Sequence, residues 1–302
     1  MAARERMRVA AAQYPIGQPK SMEEWREKAA RWVADGAGTG AEILVFPEYG
    51  AIEAAAAFGA AVSADLERTL AAVAGAAAEM ESLYAELARR HTVFILAPSG
   101  PLRRSDGRFV NAARLVTPAG RIGVQEKLIM TPFERAWGVA PGRPLRVFET
   151  ALGRIGVAIC YDSEFPILVR AQAEAGAELI LIPSCTEHLS GYHRVRAAAQ
   201  ARALESQIAT VVSPTVGDAL WSPAVDRNVG AAGVFVPADQ AVSMTGVLAE
   251  GTLNTSEWIS AEVDLAALRR VRRDGETRNH LDWTAQPGAA PLAERVEIVD
   301  LT

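Results

Sequence analysis

The 302-residue chain is poor in the residues that staple small folds or hold metals. It has two cysteines, Cys160 and Cys185, and four histidines. Two cysteines cannot build a disulfide framework, and they suit a reducing compartment. A metal site needs a ligand cluster. His188 and His193, five positions apart, do not read as one, so no metal is expected. Aromatic residues make up only 6% of the chain. No apolar run approaches the roughly 20 residues of a membrane span. The start, Met1-Ala-Ala-Arg-Glu-Arg-Met-Arg8, has no apolar segment behind it of the kind a secretory signal carries. A cytoplasmic location is therefore expected. The net charge of -5 offers no basic surface, so neither nucleic acid nor an anionic membrane is expected as a partner. The G-x-S-x-G, G-x-x-x-x-G-K-[ST] and C-x-x-C patterns are all missing.

What is present is a large apolar fraction, 50% of residues, rich in alanine. That suffices for a sizeable core of closely packed helices and strands. Short apolar runs alternate with longer helical ones. Strands are expected at Met7–Gln13, Glu42–Phe46, Thr92–Ala97, Ile155–Cys160, Leu179–Ile182 and Ile208–Ser213. Helices are expected at Ser21–Ala34, across much of Ser63–Arg90, and at Phe165–Gly176 and Tyr192–Ser206. Ser21 with Glu24 three residues on has the form of a capping box. The rhythm breaks between Val110 and Glu149, where three strands follow one another with Pro118-Ala-Gly120 as a turn between the first two. Further on, Gly230–Val236 and Trp258–Val263 read as strands and Ala266–Arg272 as a short helix. Alternation argues for a layered α/β fold. The hairpin block argues against a purely parallel sheet, and a four-layer α-β-β-α sandwich accommodates both. No linker or repeat divides the chain, so residues 1–302 are read as a single domain. The tail from 280 to 302, with Pro287-Gly288 and Pro291, reads as irregular and suited to docking on a partner subunit. Segments 50–62 and 220–228 read as loops.

Chemistry concentrates at Cys160, where an apolar strand turns into a helix. Such a turn presents a side chain to a cleft beside free backbone N–H groups. The other reading is a small buried hydrophobe. An unassisted thiol is only about 3% ionised at pH 7, so a nucleophilic Cys160 needs a base or a cation nearby. Glu48, in Phe46-Pro-Glu-Tyr49 at another strand end, offers a carboxylate base or a solvated loop residue. Lys127, flanked by Leu128, Ile129 and Met130, offers a buried ammonium or an edge-strand charge. Glu134, after Pro132-Phe133, is a second acid or the start of a surface helix. A cysteine–histidine pair would need His188 or His193 beside Cys160.

Together, Pro47-Glu48-Tyr49, Lys127 and Gly156-Val-Ala-Ile-Cys160-Tyr-Asp-Ser-Glu-Phe-Pro166 resemble the nitrilase superfamily of carbon–nitrogen hydrolases. The order is glutamate, lysine, cysteine, with separations of 79 and 33 residues. Asn111–Gly120 is similar to that family's central hairpin, Leu181–Ser184 to the strand after the cysteine helix, Arg202–Glu205 to the close of the next helix, and Glu262–Leu265 to its last strand. The resemblance covers about residues 7–273. It implies the α-β-β-α sandwich, a homodimer or higher homo-oligomer, and no metal or organic cofactor. It also implies Cys160 as nucleophile, Glu48 as general base, Lys127 as oxyanion stabiliser with the Tyr161 N–H, and Glu134 as a second glutamate.

The Cys160-Tyr161-Asp162 tripeptide is similar to the amidase side of the superfamily. The expected activity is hydrolysis of a small-molecule amide through a Cys160 thioester, releasing ammonia or an amine. Nitrile or N-carbamoyl hydrolysis by the same residues, acyl transfer to an amine, and a non-catalytic ligand-binding scaffold are the alternatives. Tyr49, Tyr161, Cys185 and His188 are the candidates for contact with substrate, with packing the other reading for Cys185 and a solvated loop for His188. Where amidases of dicarboxylic acid monoamides place an arginine, this chain has Glu164, which favours a neutral or amine-bearing substrate.

Overall fold

A computed structural model describes residues 4–289 and 296–302. The strands of the first half are β1 (Arg6–Pro15), β2 (Ile43–Val45), β3 (Phe94–Arg103), β4 (Phe109–Val116) and β5 (Ile122–Glu126). The second half adds β6 (Leu145–Thr150), β7 (Gly153–Val157), β8 (Leu179–Ser184) and β9 (Ala209–Asp218). Three short strands follow, β10 (Arg227–Asn228), β11 (Gly233–Phe235) and β12 (Val247–Glu250), then β13 (Glu257–Asp264) and β14 (Val296–Asp300). The main path runs β14-β6-β7-β8-β9-β1-β2-β3-β4-β5. Neighbours β1-β2-β3 and β7-β8-β9 are parallel, whereas β3-β4-β5 is an antiparallel meander. Its β4-β5 hairpin matches the first two strands of the block expected between Val110 and Glu149, whereas the third, β6, pairs with β7 and β14.

Alternation along the strands creates the layers. In β1, Val9 and Ala11 join the core shared with β7 to β9, while Ala10 and Ala12 face a second core. In β2 and β3, Ile43, Val45, Phe94 and Leu96 go one way, and Leu44, Ile95 and Ala97 the other. A period of two gives a strand two faces, and both are apolar here because each is covered. The outer face of this half is covered by α1 (Met22–Gly38), which contributes Trp25, Ala29 and Val33. Beyond α2 (Ala60–Ser63) and α3 (Leu66–Gly75), α4 (Ala77–His91) contributes Tyr84, Leu87 and Ala88 to the same core. After the five-residue α5 (Pro132–Ala136), the other half is covered by α6 (Pro166–Glu174) and α7 (Leu189–Ser206), which bury Val169, Ala173, Val195 and Ala199. Helix α8 (Leu265–Asp274) follows β13. The result is the α-β-β-α sandwich. Among the described residues no helix is long and apolar enough to cross a membrane.

Several expectations need correction. The segment 50–62 is helical: a 3-10 run over Gly50–Phe58 and then α2, with Ala51, Ile52, Ala54 and Ala55 buried. Small side chains let it lie against the sheet, and its composition resembles a helix more than a loop. Strand β7 stops at Val157, three residues short of Cys160. The tail is not irregular throughout. Helix α9 (Asn279–Asp282) docks through Arg170, whose Nη2 donates to the His280 carbonyl at 2.9 Å, and β14 pairs in parallel with β6 of the same chain. The tail thus supplies a further strand beyond β13, the segment likened to the last one. Pro291 lies outside the described residues. Ser21 does cap α1, accepting the Glu24 N–H at 3.2 Å, but Glu24 reaches the Lys20 N–H rather than completing the box.

Candidate active site

Cys160 opens a 3-10 turn (Cys160–Glu164) between β7 and α6. Its φ of 47° lies in the left-handed region, where a side chain with a Cβ is strained. The surroundings hold it there. The Ser163 hydroxyl donates to the Cys160 carbonyl at 2.6 Å, and Arg202 of α7 donates to the Ser163 carbonyl at 3.2 Å. Gly156 permits the approach of α6 behind the strand, since a Cβ there would lie 2.6 Å from Ile180 Cδ1 and 2.9 Å from Gln172 Cδ. Tyr49, beside Glu48, is also left-handed, with φ 53°.

The four residues singled out for chemistry meet at one end of the sheets. Lys127, just past β5, places Nζ 2.8 Å from Glu48 Oε1 and 2.7 Å from Glu134 Oε2. All three are buried, Lys127 to 1% exposure. Glu48 is therefore no solvated loop residue, and Lys127 no edge-strand charge. Glu134 starts a helix, as one reading had it, but a buried one. Thr131 and Glu134 form a capping box on α5, with the Thr131 N–H donating to Glu134 Oε2 at 2.9 Å. The sequence Thr131-Pro-Phe-Glu134 carried that signal. Asp162 braces the site: it accepts from Leu128 and Ile129 N–H groups.

Charge is managed tightly here. Burial alone would strip Lys127 of its proton, but the fields of Glu48 and Glu134 more than reverse this and raise its pKa. Glu134 is also penalised by burial, yet Lys127, the Thr131 N–H and the Tyr49 hydroxyl hold its pKa down. Glu48 is raised, chiefly by burial, with Lys127 opposing. The Cys160 thiol is pushed well up by burial and then by Glu48. The resting pair is thus a neutral thiol facing a carboxylate with elevated proton affinity. A thiol held neutral beside such a carboxylate is chemically suited to giving up its proton as it reacts, rather than to resting as a thiolate.

A cavity of about 310 Å³ opens over these four groups. Tyr49, Tyr161, Cys185 and His188 all border it, as does Glu164. Tyr49 donates its hydroxyl to Glu134 Oε1 at 2.8 Å. Cys185 contributes its backbone, donating N–H to Glu48 Oε2 at 3.1 Å, while its thiol, pushed up to about 12 by burial, donates to Asn228 Oδ1 at 3.4 Å. The His188 side chain is largely exposed, 3.7 Å from Glu187. His193 does not border the cavity, and the hydrogen-bonding environment of Cys160 is built from Glu48 and the Cys185 carbonyl, not from a histidine. The Cys–His arrangement is thereby set aside. Trp137 and Arg194 border the cavity without having been anticipated, and neither carries a local motif. Among the described residues no cluster of three or more His, Cys, Asp or Glu is placed to hold a metal ion.

Comparison with known proteins adds the lineage. The family model described as carbon–nitrogen hydrolase matches residues 8–273. The chain is 41% identical over 202 residues to the probable hydrolase YhcX of Bacillus subtilis, covering 67% of this chain and 39% of that protein. It is 34% identical over 170 residues to an (R)-stereoselective amidase of a Pseudomonas species, covering 56% and 57%. The matched region thus spans about two fifths of the first relative's length and over half of the second's. The solved carbon–nitrogen hydrolase of Helicobacter pylori superposes with TM-score 0.73 at 19% identity, over 89% of this chain and 92% of that one, a likeness of fold.

Proposed function

The chain belongs to the carbon–nitrogen hydrolase family, and from that premise we propose that it is an amidase working through a Cys160 thioester. The observation that carries the proposal is the buried convergence of Glu48, Lys127 and Glu134 beneath a cavity that Cys160 borders. In this reading Glu48 takes the thiol proton as Cys160 Sγ attacks the amide carbon. Lys127 has three N–H donors, of which two are held by Glu48 and Glu134. The third is left for the oxyanion, together with the Tyr161 N–H in the first turn after the nucleophile. One such donor is typically worth about 3–4 kcal/mol in the transition state. Glu48 returns the proton to the leaving amine as the C–N bond breaks. Water then attacks the thioester carbon as Glu48 accepts its proton; the C–S bond breaks, and Glu48 returns that proton to the Cys160 sulfur as the acid leaves. Glu134 keeps the ammonium in place and charged.

The cavity wall supports a substrate preference. Glu164 borders the cavity, and Arg194 lies 3.4 Å from it. More carboxylates than cations line the cavity. A free carboxylate on the substrate would meet like charge, so neutral or amine-bearing amides are the proposed class. The chain is proposed to act as one domain, paired with a second copy.

Intact-mass spectrometry across an amide panel tests the reading. An acyl adduct on Cys160, missing in Cys160→Ala, is expected together with release of ammonia or an amine. Nitriles turned over in preference to amides, or carbon dioxide released from N-carbamoyl substrates, would reassign the reaction. ω-Amides of dicarboxylic acids turned over best would overturn the proposed charge preference. Activity that persists in Cys160→Ala would remove the thioester altogether.

A further inference from the structure

Behind Glu48 runs a chain of buried hydrogen bonds with a fixed direction. The Tyr49 backbone N–H donates to Ser99 Oγ at 3.1 Å, and the Ser99 hydroxyl donates to Asn111 Oδ1 at 2.8 Å. Asn111 Nδ2 donates to Glu48 Oε1 at 3.0 Å. An ionised carboxylate can only accept, so the Asn111 amide NH₂ must face Glu48. The Asn111 carbonyl then faces Ser99, whose hydroxyl must donate to it while accepting the Tyr49 N–H. Ser99 and Asn111 are fully buried and Glu48 is 1% exposed, so bulk water does not compete for these groups. Lys127 Nζ also donates to Oε1, at 2.8 Å. Two donors fill the lone pairs of that oxygen. Oε2 accepts the Cys185 N–H at 3.1 Å, which leaves that oxygen one lone pair, and the Cys160 thiol is within hydrogen-bonding reach of the Glu48 carboxylate.

We infer that Asn111, oriented by Ser99, is a positioning residue that commits Oε1 of Glu48 to permanent acceptance and leaves Oε2 as the only oxygen that exchanges protons. This rests on the reading of Glu48 as the base. The proton of Cys160 Sγ passes to Oε2 as the S–C bond forms and the carbonyl π pair moves to oxygen. When the C–N bond breaks, the same proton passes from Oε2 to nitrogen. With Oε1 pinned from two sides the carboxylate cannot turn to exchange its oxygens. The Asn111 donor also favours the ionised form, opposing the burial that raises Glu48.

The test is the pH dependence of kcat/KM in Asn111→Leu and Ser99→Ala, with alkylation of Cys160 by iodoacetamide followed over the same pH range. Removing the donor should move the acid limb of Asn111→Leu up by about one unit, which is about a tenfold loss at a pH below the limb. Ser99→Ala, which only unlocks the amide, should move it less and in the same direction. KM on the plateau should stay near the native value. Alkylation needs no substrate and should show the same displacement, and the milder Ser99→Ala carries the test if Asn111→Leu does not fold. Native pH profiles in folded variants, or a loss of equal size at every pH, would overturn the inference. Glu48→Gln separates the two claims. If it keeps native activity, Glu48 is not the base. If it is inactive while both other variants have native profiles, Glu48 stands and the role of Asn111 falls.

Discussion

Asp162 accepts the backbone N–H of Ile129 at 2.8 Å. It also accepts the Leu128 N–H, at 3.2 and 3.1 Å to its two oxygens. Asp162 stands two residues past Cys160, and Leu128 and Ile129 directly follow Lys127. One buried carboxyl therefore fastens the end of β5 to the turn after β7. Their alignment in sequence does not bring the thiol and the ammonium together; this brace helps to hold them so.

Burial raises the Asp162 pKa to about 7, against the opposing pull of Lys127 and the two N–H groups. Its folded-state pKa lies above the unfolded value, so the folded state holds the extra proton between about pH 4 and 7. The stability this contributes is full below the unfolded pKa and is lost as pH rises through 7. Asp162→Asn removes that titration. Thermal melts of the native protein and the variant between pH 4 and 8 should show a smaller fall in Tm with rising pH in the variant. An unchanged slope would show that Asp162 does not titrate in this range.

Lys127→Met leaves two carboxylates buried without their cation. Breaking a buried ion pair from one side typically costs about 3–5 kcal/mol. The loss should be larger at pH 8 than at pH 5, because unpaired Glu48 and Glu134 can take up protons at the lower pH. Urea unfolding at both values measures this, and turnover should be abolished at either.

The two cysteines should separate cleanly. Cys160→Ala is expected to abolish turnover while the protein stays folded. Cys185 serves Glu48 through its backbone N–H, which alanine retains. Its thiol makes only weak polar contacts, such as that to Asn228. Cys185→Ala should therefore keep kcat/KM within about fivefold, the effect of roughly 1 kcal/mol. A collapse of activity in Cys185→Ala would mean that the thiol itself takes part.

Tyr49→Phe removes the hydroxyl that donates to Glu134 Oε1, while Lys127 and Thr131 still serve Oε2. A bond to a buried charge is worth about 1.5–3 kcal/mol. A loss of kcat/KM of about tenfold or more is expected, with a lower melting temperature. Steady-state kinetics and melts on one preparation check both.

Much of this was legible in the chain. Short, near-continuous apolar runs marked the strands because both faces of each sheet are covered. Thr131-x-x-Glu134 has the form of the capping box that turns Glu134 inward, although the sequence alone offers Glu134 only as a second acid or the start of a surface helix. Gly50–Phe58 is helical with its alanines buried; its alanine-rich composition suits a helix, but as sequence the segment reads as a loop. Other features left no local trace. β14 has its place because β6 offers an open edge. Asn111 was noticed only as part of a hairpin, since nothing beside it in sequence shows that Ser99 and Glu48 lie on either side.

The sequence by itself determined the layered α/β class, the family, and which glutamate, lysine and cysteine to compare, because order and hydrophobic period survive in one dimension. The tertiary structure decided the chemistry of those groups. Only folding removes water from Glu48, Lys127, Glu134 and Cys160 at once. In that low-dielectric setting burial and proximity raise the proton affinity of Lys127 and of the Cys160 thiol and lower that of Glu134, and the donors of Asn111 and Lys127 occupy one oxygen of Glu48.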